Sequence, residues 1–168
     1  DDPSRGVMDG CAQLMDRKPD FLASTKQVLH GTTLVINAVL ERKGAKTALI
    51  TTEGFRDVLE IGTERRYDLY DLQQQYPEPL VPRYLRRGVT ERLRSDGATL
   101  VPLDKAEVDR IAADFASDGV EAVAVCLLHA YQNPVHELAI RERLTKMLPD
   151  ASVSLSSEVL PEINEYAR

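Results

Sequence analysis

The sequence predicts an α/β fold in which strand-helix-strand (βαβ) units form a largely parallel sheet with an added antiparallel hairpin. Short apolar stretches with strand character alternate with stretches of helical period in residues 27–51 and again in residues 120–155. The connections within each stretch are short, which favours right-handed βαβ units and parallel strands. Between them, Ser95-Asp96-Gly97 is a turn sequence between two candidate strands and predicts the hairpin.

The first half of the chain is predicted to contain the first βαβ unit, preceded by a helix. Apolar residues recur on one face over residues 3–15, which is typical of an amphipathic helix, and Lys18-Pro19-Asp20 ends it. The βαβ unit consists of a strand over residues 27–29, a helix over residues 32–43 and a strand over residues 46–51. Gly44 is expected to end the helix, because glycine readily adopts the left-handed conformation found at helix C-termini.

The second half is predicted to contain the hairpin and the second βαβ unit, preceded by a helix. Asp104 and Glu107 have the spacing of a capping box, and the helix that they begin continues until Gly119. The apolar stretch over residues 120–128 indicates a central parallel strand covered on both faces. The remaining predicted segments are irregular backbone over residues 62–82, hairpin strands over residues 84–94 and 98–101, a helix from Asn133-Pro134 to Pro149, and a strand over residues 152–155.

Five arginines lie in or beside the predicted hairpin, and an exposed ribbon with charged edges is the expected form. They are Arg83, Arg86, Arg87, Arg92 and Arg94. The irregular segment over residues 62–82 is long for a compact domain, and loops of this length are more often functional or in contact with a partner than idle.

Length and composition narrow the class of protein. At 168 residues, with 43% hydrophobic and 29% charged residues, the chain has the size of one domain with a sizeable core. It has neither an apolar run long enough to span a membrane nor a recognisable leader, so a cytoplasmic protein that contacts no membrane is expected. The net charge of -6 argues against a nucleic-acid partner, because binding to phosphates requires a basic surface.

The cysteines and histidines do not predict a metal site. Cys11 and Cys126 are far apart and form no C-x-x-C pair, so two reduced, buried thiols are expected rather than a disulfide scaffold or a zinc site. His129 and His136 do not have the spacing of two ligands on one helix face. No metal ligand is therefore predicted.

The first of three candidate clusters lies where a predicted strand turns directly into a helix. It comprises His30, Gly31, Thr32 and Thr33, with Asn37 on the helix that follows. The free N–H groups and the positive dipole end of that helix favour an anion, Gly31 permits close approach of the backbone, and a threonine hydroxyl can cap the helix at the mouth. The alternative interpretation is a helix cap beside a buried histidine.

Two further clusters follow predicted strand ends, which is where parallel sheets bind ligands. One comprises Thr51, Thr52, Glu53, Arg56 and Asp57, and the other spans residues 129–133. For Arg56 and Asp57 the alternative to a role in a ligand site is a local ion pair. No glycine-rich phosphate loop of either common type occurs in the chain, so no nucleotide cradle is predicted within it.

Six blocks of the sequence, in order, resemble the N-terminal region of the hydantoinase A/5-oxoprolinase family. The similarity covers nearly the whole chain and favours a ligand role for the first cluster. The blocks are residues 30–42 (HGTTLVINAVLER), 43–62 (KGAKTALITTEGFRDVLEIG), 68–72 (DLYDL), 77–82 (PEPLVP), 120–129 (VEAVAVCLLH) and 154–166 (SLSSEVLPEINEY).

The resemblance implies a domain over residues 1–168 that is truncated at both ends and is part of a larger actin-like ATPase-type enzyme. It implies ATP-dependent opening of a cyclic amide, such as 5-oxoproline, hydantoin or N-methylhydantoin, by phosphorylation of the amide oxygen. ATP and Mg²⁺ are the implied cofactors, with phosphate loops outside this segment. The implied partners are the remaining domains of the same chain and a hydantoinase B-type subunit or domain.

Two other functions stay open. The resemblance also fits a subunit of an ATP-dependent ketone carboxylase acting on acetone or acetophenone. A function of another class is a non-catalytic interaction module that uses residues 62–82 as its contact surface. In each case the catalytic residues are not assigned by the sequence, and the isolated segment is expected to be inactive.

Overall fold

The computed structural model describes residues 4–27, 29, 31, 33–63, 70–71, 73 and 77–168. Contacts along the chain separate two compact units, Asp1–Leu40 and Glu41–Arg168. The first contains α1 (Ser4–Arg17), α2 (Phe21–Ser24) and α3 (Leu34–Leu40). The second contains β1 (Thr47–Thr52), α4 (Val58–Ile61), a 3-10 helix (Arg83–Leu85), β2 (Arg86–Val89), β3 (Arg92–Leu93), β4 (Thr99–Val101), α5 (Lys105–Ser117), β5 (Ala122–Cys126), α6 (Val135–Met147), β6 (Ser152–Leu155) and α7 (Ser156–Val159).

The first helix of the chain is confirmed, and the strand predicted after it over residues 27–29 is wrong. Gln27 and Leu29 lie in irregular backbone, and Val28 lies outside the described residues. A strand this short depends on ladder hydrogen bonds to a neighbour. Among the described residues, none of the strand pairings includes this stretch. The first predicted βαβ unit therefore lacks its opening strand.

The helix predicted over residues 32–43 is shorter at both ends. Asn37 N donates to Thr33 O at 2.8 Å, so Thr33 stands at the cap position and the helix begins after it. At the other end, Arg42 has a φ of 53°, which is left-handed and incompatible with continued helix. Arg42 thus ends the helical backbone before Gly44, which has no positive φ, and the prediction of a glycine cap is wrong.

The predicted parallel sheet is confirmed. It has four strands in the order β2-β1-β5-β6, and all three pairings are parallel. In register, Ile50 of β1 lies between Arg87 of β2 and Val125 of β5, and Val125 pairs onward with Leu155 of β6. Because all four strands run the same way, their carboxyl ends meet at one edge, called the carboxyl edge below.

The core lies between one face of this sheet and the helices α5 and α6. Its fully buried side chains include Ile50, Val125 and Leu155 from the sheet, Phe115 from α5 and Leu144 from α6. Each such side chain contributes about 1.5 to 3 kcal/mol relative to exposure, so this layer stabilises the second unit.

The second βαβ unit, β5-α6-β6, is confirmed, and β5 is central as predicted. Its two faces differ, however, because Val123 and Val125 are buried whereas Ala122, Ala124 and Cys126 are half-buried. The prediction of a strand fully covered on both faces is therefore wrong for the second face. Both cysteines are free and half-buried.

The hairpin is confirmed at its turn and wrong in its extent. β3 pairs antiparallel with β4, and Gly97 takes a φ of 82° in the connection. Residues 86–89, assigned to the hairpin by sequence, instead form the edge strand β2 of the parallel sheet. Arg86 is consequently 1% exposed, with Nε donating to Val81 O at 2.8 Å and Nη1 3.0 Å from Glu60 Oε1. It is not part of an exposed charged ribbon.

Both long helices begin close to the predicted positions. Asp104 Oδ1 accepts hydrogen bonds from the first turn of α5, as a cap should, but the Glu107 carboxylate bonds Thr90 N at 2.7 Å instead of closing a capping box. α6 begins one residue later than predicted, with Pro134 at the cap position and Asn133 Oδ1 accepting from Val135 N.

Candidate functional site at the carboxyl edge

A cavity of about 310 Å³ lies beside the carboxyl ends of β1 and β2. Its lining residues are Glu53, Gly54, Arg56, Asp57 and Gly88. Three of these belong to the second cluster predicted from sequence. The structure thus brings Glu53, Arg56 and Asp57 together at a place where parallel sheets bind ligands.

Gly88 makes room for the first of these side chains. A Cβ atom at this position would lie 2.0 Å from Glu53 Oε2 and 3.1 Å from Glu53 Cα. The Glu53 backbone is fixed there because its N–H donates to Val89 O at 3.0 Å. Only glycine therefore allows the Glu53 carboxylate to lie over the end of β2. Gly54 completes the turn out of β1 with a φ of 89°.

Asp57 is held in an ion pair with the distant Arg83, not in the local pair with Arg56 that the sequence offered as the alternative. Arg83 Nε and Nη2 donate to Asp57 Oδ1 and Oδ2, both at 3.0 Å, in a bidentate arrangement. These hydrogen bonds lower the pKa of the Asp57 carboxyl and raise the pKa of Arg83. Asp57 is therefore ionised and occupied at neutral pH.

Arg56 differs from Asp57 in its partners. Its side chain is half-buried and lines the cavity, yet its guanidinium makes no hydrogen bond or salt bridge within the part of the chain that the structure describes. The Glu53 side chain is exposed and likewise has no such partner among the described residues. One donor group and one acceptor group without partners among the described residues therefore line the same cavity.

A buried polar chain fixes the strand ends behind the cavity. Thr52, the last residue of β1, donates from Oγ1 to Glu91 Oε1 and accepts from Leu128 N at 2.9 Å. Glu91 Oε2 lies 2.7 Å from Nδ1 of His136, in the first turn of α6. These groups connect the ends of β1 and β5 with α6, so this series of hydrogen bonds holds the carboxyl edge in place.

Glu137 forms a second buried centre next to this chain. Its carboxylate is fully buried and accepts four hydrogen bonds, from Leu127 N at 3.0 Å, Ser156 Oγ at 2.7 Å, Ser157 N at 3.0 Å and Ser157 Oγ at 2.6 Å. It thereby joins the end of β5 to the start of α7. All of its acceptor positions are used, which fits a supporting role.

Sequence reasoning missed both buried carboxylates, Glu91 and Glu137, and one signal could have revealed Glu137 together with His136. In the helical period set by Ile140 and Leu144, residues 136 and 137 fall on the same, buried face. Charged or polar side chains at core positions must be paired with other buried groups. The sequence His136-Glu137 therefore carried a detectable sign of a buried polar network.

The two histidines in and near the third cluster lie in different environments. His129 has a left-handed φ of 59°, its Nδ1 is buried without a hydrogen-bond partner in the described chain, and its ring packs edge-on against Tyr131. His136 is engaged with Glu91. Across the described residues there is no group of three or more His, Cys, Asp or Glu side chains that could hold a metal ion. Burial raises the pKa of the nearby Cys126 thiol, which makes it a weak nucleophile.

The first cluster belongs to the other unit, Asp1–Leu40. His30 and Thr32 lie outside the described residues. Gly31, Thr33 and Asn37 are exposed. Gly31 has neither a positive φ nor a described atom within 4 Å of an added Cβ, so its own backbone and the described neighbours do not require glycine there, and the close approach to a ligand stays a prediction.

No helix in the described ranges combines the length and apolarity needed to cross a bilayer.

Comparison with known proteins identifies close relatives of known name. Caprolactamase subunit alpha from Pseudomonas jessenii is 35% identical over 173 residues, which cover 99% of this chain and 25% of the relative. 5-Oxoprolinase 1 from Arabidopsis thaliana is 34% identical over 163 residues, 82% of this chain and 12% of the relative. The chain thus spans a quarter or less of the length of these relatives.

The fold of this chain is also similar to solved structures of related proteins. The crystal structure of the ATP-dependent caprolactamase from Pseudomonas jessenii superposes with a TM-score of 0.87 and 34% identity, covering 98% of this chain and 25% of that chain. The nucleotide-free structure of acetone carboxylase superposes with a TM-score of 0.70 and 29% identity, covering 76% and 20%. Residues 1–148 match the family described as the hydantoinase/oxoprolinase N-terminal region, and the chain belongs to that family.

Proposed function

We propose that this chain is part of an ATP-dependent enzyme that opens a cyclic amide by phosphorylating the amide oxygen. The main support is the similarity to the ATP-dependent caprolactamase over 98% of the chain, since caprolactamase is named for a cyclic amide. The relationship to a 5-oxoprolinase adds a second relative named for a cyclic amide. Hydantoin and N-methylhydantoin are further substrates of this class.

The chemistry explains why ATP is needed. Resonance between nitrogen and carbonyl makes an unstrained cyclic amide a poor electrophile at neutral pH. Transfer of a phosphoryl group to the amide oxygen creates a good leaving group, so that water can attack the ring carbon. The protein must then bind the nucleotide and the amide in line with each other, since positioning and charge stabilisation dominate phosphoryl transfer.

Two features that commonly hold Mg²⁺-ATP are not found in the described residues or in the sequence of this segment. The described residues contain no acidic cluster suited to a metal ion, and the chain has no glycine-rich phosphate loop. In the proposed enzyme, ATP and Mg²⁺ are bound mainly by the remaining domains of the same protein. No phosphoryl-transfer step is assigned to residues of this segment.

The candidate site residues enter this proposal on two kinds of support, the structure for some and the sequence motif for the others. Arg56 lines a cavity at the carboxyl edge, and Asp57 helps to shape it through its ion pair with Arg83. His30, Gly31, Thr32, Thr33 and Asn37 are proposed to line the substrate or nucleotide cleft of the complete enzyme on the strength of the sequence motif.

The proposed assembly includes a second subunit or domain of the hydantoinase B type. Its support is that the Pseudomonas relative is named as the alpha subunit of its enzyme. Cytoplasmic location is proposed with it, because the reaction consumes ATP.

A ketone carboxylase subunit is the second candidate function. The acetone carboxylase structure favours it, although that similarity covers less of the chain than the caprolactamase does. In such an enzyme ATP would activate the ketone and bicarbonate rather than an amide. An interaction module without catalytic function is the third candidate, with residues 62–82 as its contact surface.

One assay of the full-length protein separates these functions. The purified protein, with its B-type partner, is incubated with and without Mg-ATP on 5-oxoproline, N-methylhydantoin, caprolactam and acetone with bicarbonate. We expect ATP-dependent ring opening of at least one cyclic amide. ATP-dependent carboxylation of acetone alone would establish the carboxylase function, and absence of any substrate-stimulated ATP hydrolysis would favour the interaction module.

A further inference from the structure

We propose that the cavity beside β1 and β2 binds the amide edge of the cyclic substrate, with Glu53 accepting from the amide N–H and Arg56 donating to the amide carbonyl. This inference rests on the proposed function and deepens it. It assigns the cavity to the substrate rather than to the nucleotide, and it identifies the two side chains that recognise it.

The first reason is the pairing of functional groups. Glu53 and Arg56 line the same cavity of about 310 Å³, and neither side chain has a hydrogen-bond or salt-bridge partner in the described chain. An ionised glutamate only accepts hydrogen bonds, and an arginine only donates them. A small ring forces its amide to be cis, so the N–H and the C=O point outward from one edge. That edge offers one donor and one acceptor, which match the acceptor and the donor of the cavity.

The second reason is charge. The cavity lining includes the carboxylates of Glu53 and Asp57, and the cationic groups are Arg56 and the Arg83 that pairs with Asp57. Two negative and two positive groups leave no net positive charge for a polyphosphate, which is held in proteins by an excess of donors and cations. A neutral, polar ligand such as an amide suits this balance.

The third reason distinguishes an amide from a ketone. A ketone has an acceptor but no N–H, so it would satisfy Arg56 and leave the Glu53 carboxylate without a donor. A ketone therefore forms one hydrogen bond fewer with the cavity than an amide does, and a site that bonds a polar group of its ligand discriminates against analogues that lack that group. The cavity therefore favours the cyclic amidase among the candidate functions.

Gly88 provides an independent way to disturb the same carboxylate. Its hypothetical Cβ would lie 2.0 Å from Glu53 Oε2, while the Glu53 backbone is tied to Val89 O. The change Gly88→Ala must therefore displace the Glu53 carboxylate without removing any charge. Its effect on amide binding should resemble that of removing the carboxylate.

The test measures binding by the full-length protein, separately from turnover. Calorimetric or NMR titrations use 5-oxoproline, hydantoin, caprolactam and N-methylcaprolactam, and ATP is titrated in parallel. We expect Glu53→Leu and Arg56→Met each to raise the Kd of the N–H amides by about tenfold or more, because each removes a hydrogen bond to a charged group. Glu53→Gln, which keeps an acceptor oxygen, should recover part of the loss, and Gly88→Ala should behave like Glu53→Leu.

Control variants are measured in the same titrations. Glu142→Leu and Arg94→Met alter exposed residues away from the cavity and should leave every Kd unchanged. N-Methylcaprolactam lacks the N–H, so the wild-type protein should bind it more weakly than caprolactam, and Glu53→Leu should not weaken its binding further. If the wild-type protein binds none of the amides, or if the Glu53 and Arg56 variants weaken ATP binding while amide Kd values stay the same, the inference is overturned. If the amides bind as expected but are not opened with ATP, only the proposed function fails.

Discussion

Among single residues, Glu137 shows how a buried charge can support a site without taking part in it. Its carboxylate receives hydrogen bonds from two backbone N–H groups and two hydroxyls, which connect β5, α6 and α7. Removing the acceptor leaves buried donors without partners, and each such group costs about 1 to 3 kcal/mol.

We therefore expect Glu137→Ala to lower the free energy of unfolding by about 3 kcal/mol or more. Urea unfolding followed by circular dichroism measures it. Glu142→Ala, on the exposed side of the same helix, is the matched control and should change stability by less than about 0.5 kcal/mol. Equal, small effects of both substitutions would show that the four hydrogen bonds contribute little.

The ion pair of Asp57 with Arg83 predicts a specific titration. The hydrogen bonds from Arg83 lower the pKa of Asp57, so the pair contributes stability above the ordinary aspartate range and loses it as pH falls through the lowered pKa. In Arg83→Gln, the Asp57 titration, followed by carboxyl NMR, should move up toward the ordinary value of about 3.9.

Asp109 gives an internal control for that titration. Its pKa is lowered in the same way by hydrogen bonds from Arg143 on α6, which do not involve Arg83. The Asp109 titration should therefore stay in place in Arg83→Gln. An unchanged Asp57 midpoint, or a joint shift of both residues, would contradict the assignment of the effect to the local pair.

At the level of elements, local sequence signals predicted the ends of the helices well. They did not predict which strands pair with each other. The caps and stops of α1, α5 and α6 depend on neighbouring residues in the chain, so they could be located within one or two positions. The placement of residues 86–89 depends on a parallel partner, β1, that is distant in sequence. No local pattern separates an arginine on an exposed ribbon from Arg86, whose charge is balanced by Glu60 and by a backbone carbonyl.

The hairpin turn offers a test at this level. Gly97 has a left-handed φ of 82°, and an added Cβ would lie 3.3 Å from Asn133 Cβ, where Asn133 Nδ2 also donates to Gly97 O at 2.9 Å. Gly97→Ala should destabilise the chain by about 1 to 2 kcal/mol, because left-handed backbone is unfavourable for alanine. The urea midpoint at constant m-value reports the change.

Alanine substitutions at two other glycines separate the effect of backbone strain at Gly97 from the effect of its contact with Asn133. Gly119 is also left-handed, with a φ of 67°, but no atom of the described residues lies within 4 Å of its added Cβ, so Gly119→Ala measures the backbone strain alone. Gly44 has neither strain nor a close neighbour among the described residues, and Gly44→Ala should be neutral or slightly stabilising. A loss for Gly97→Ala no larger than that for Gly119→Ala would contradict a destabilising contact between the hairpin turn and Asn133.

At the scale of the whole molecule, the sequence predicted which residues follow the end of β1, but it did not predict the contacts that their side chains make. Parallel strands bring their carboxyl ends to one edge, so the second cluster was proposed as a candidate site from its position just after a predicted strand. The sequence could not show that Gly88 makes space for Glu53, or that Asp57 is paired with Arg83, because these contacts join segments about 26 to 35 residues apart through the sheet. Tertiary contacts, rather than local patterns, decide which side chains remain free to bind a ligand.

The chain as a whole should fold without hydrolysing ATP. The second unit contains a four-stranded sheet, two covering helices and a buried polar network whose main groups are mutually satisfied, so its local and tertiary signals agree. Phosphoryl transfer has further requirements, because several groups must position the phosphates and a metal ion together. The described residues contain no cluster of acidic or histidine ligands for that metal, and the sequence contains no phosphate loop.

We expect the purified 168-residue chain to give the circular dichroism of an α/β protein and a cooperative unfolding transition. It should release no phosphate from Mg-ATP with or without 5-oxoproline. The full-length protein assayed in parallel is the positive control. A contrary result would be substrate-stimulated phosphate release that copurified with the isolated chain and was lost in His30→Ala. It would place a nucleotide site within this segment and contradict the proposal that the remaining domains bind ATP.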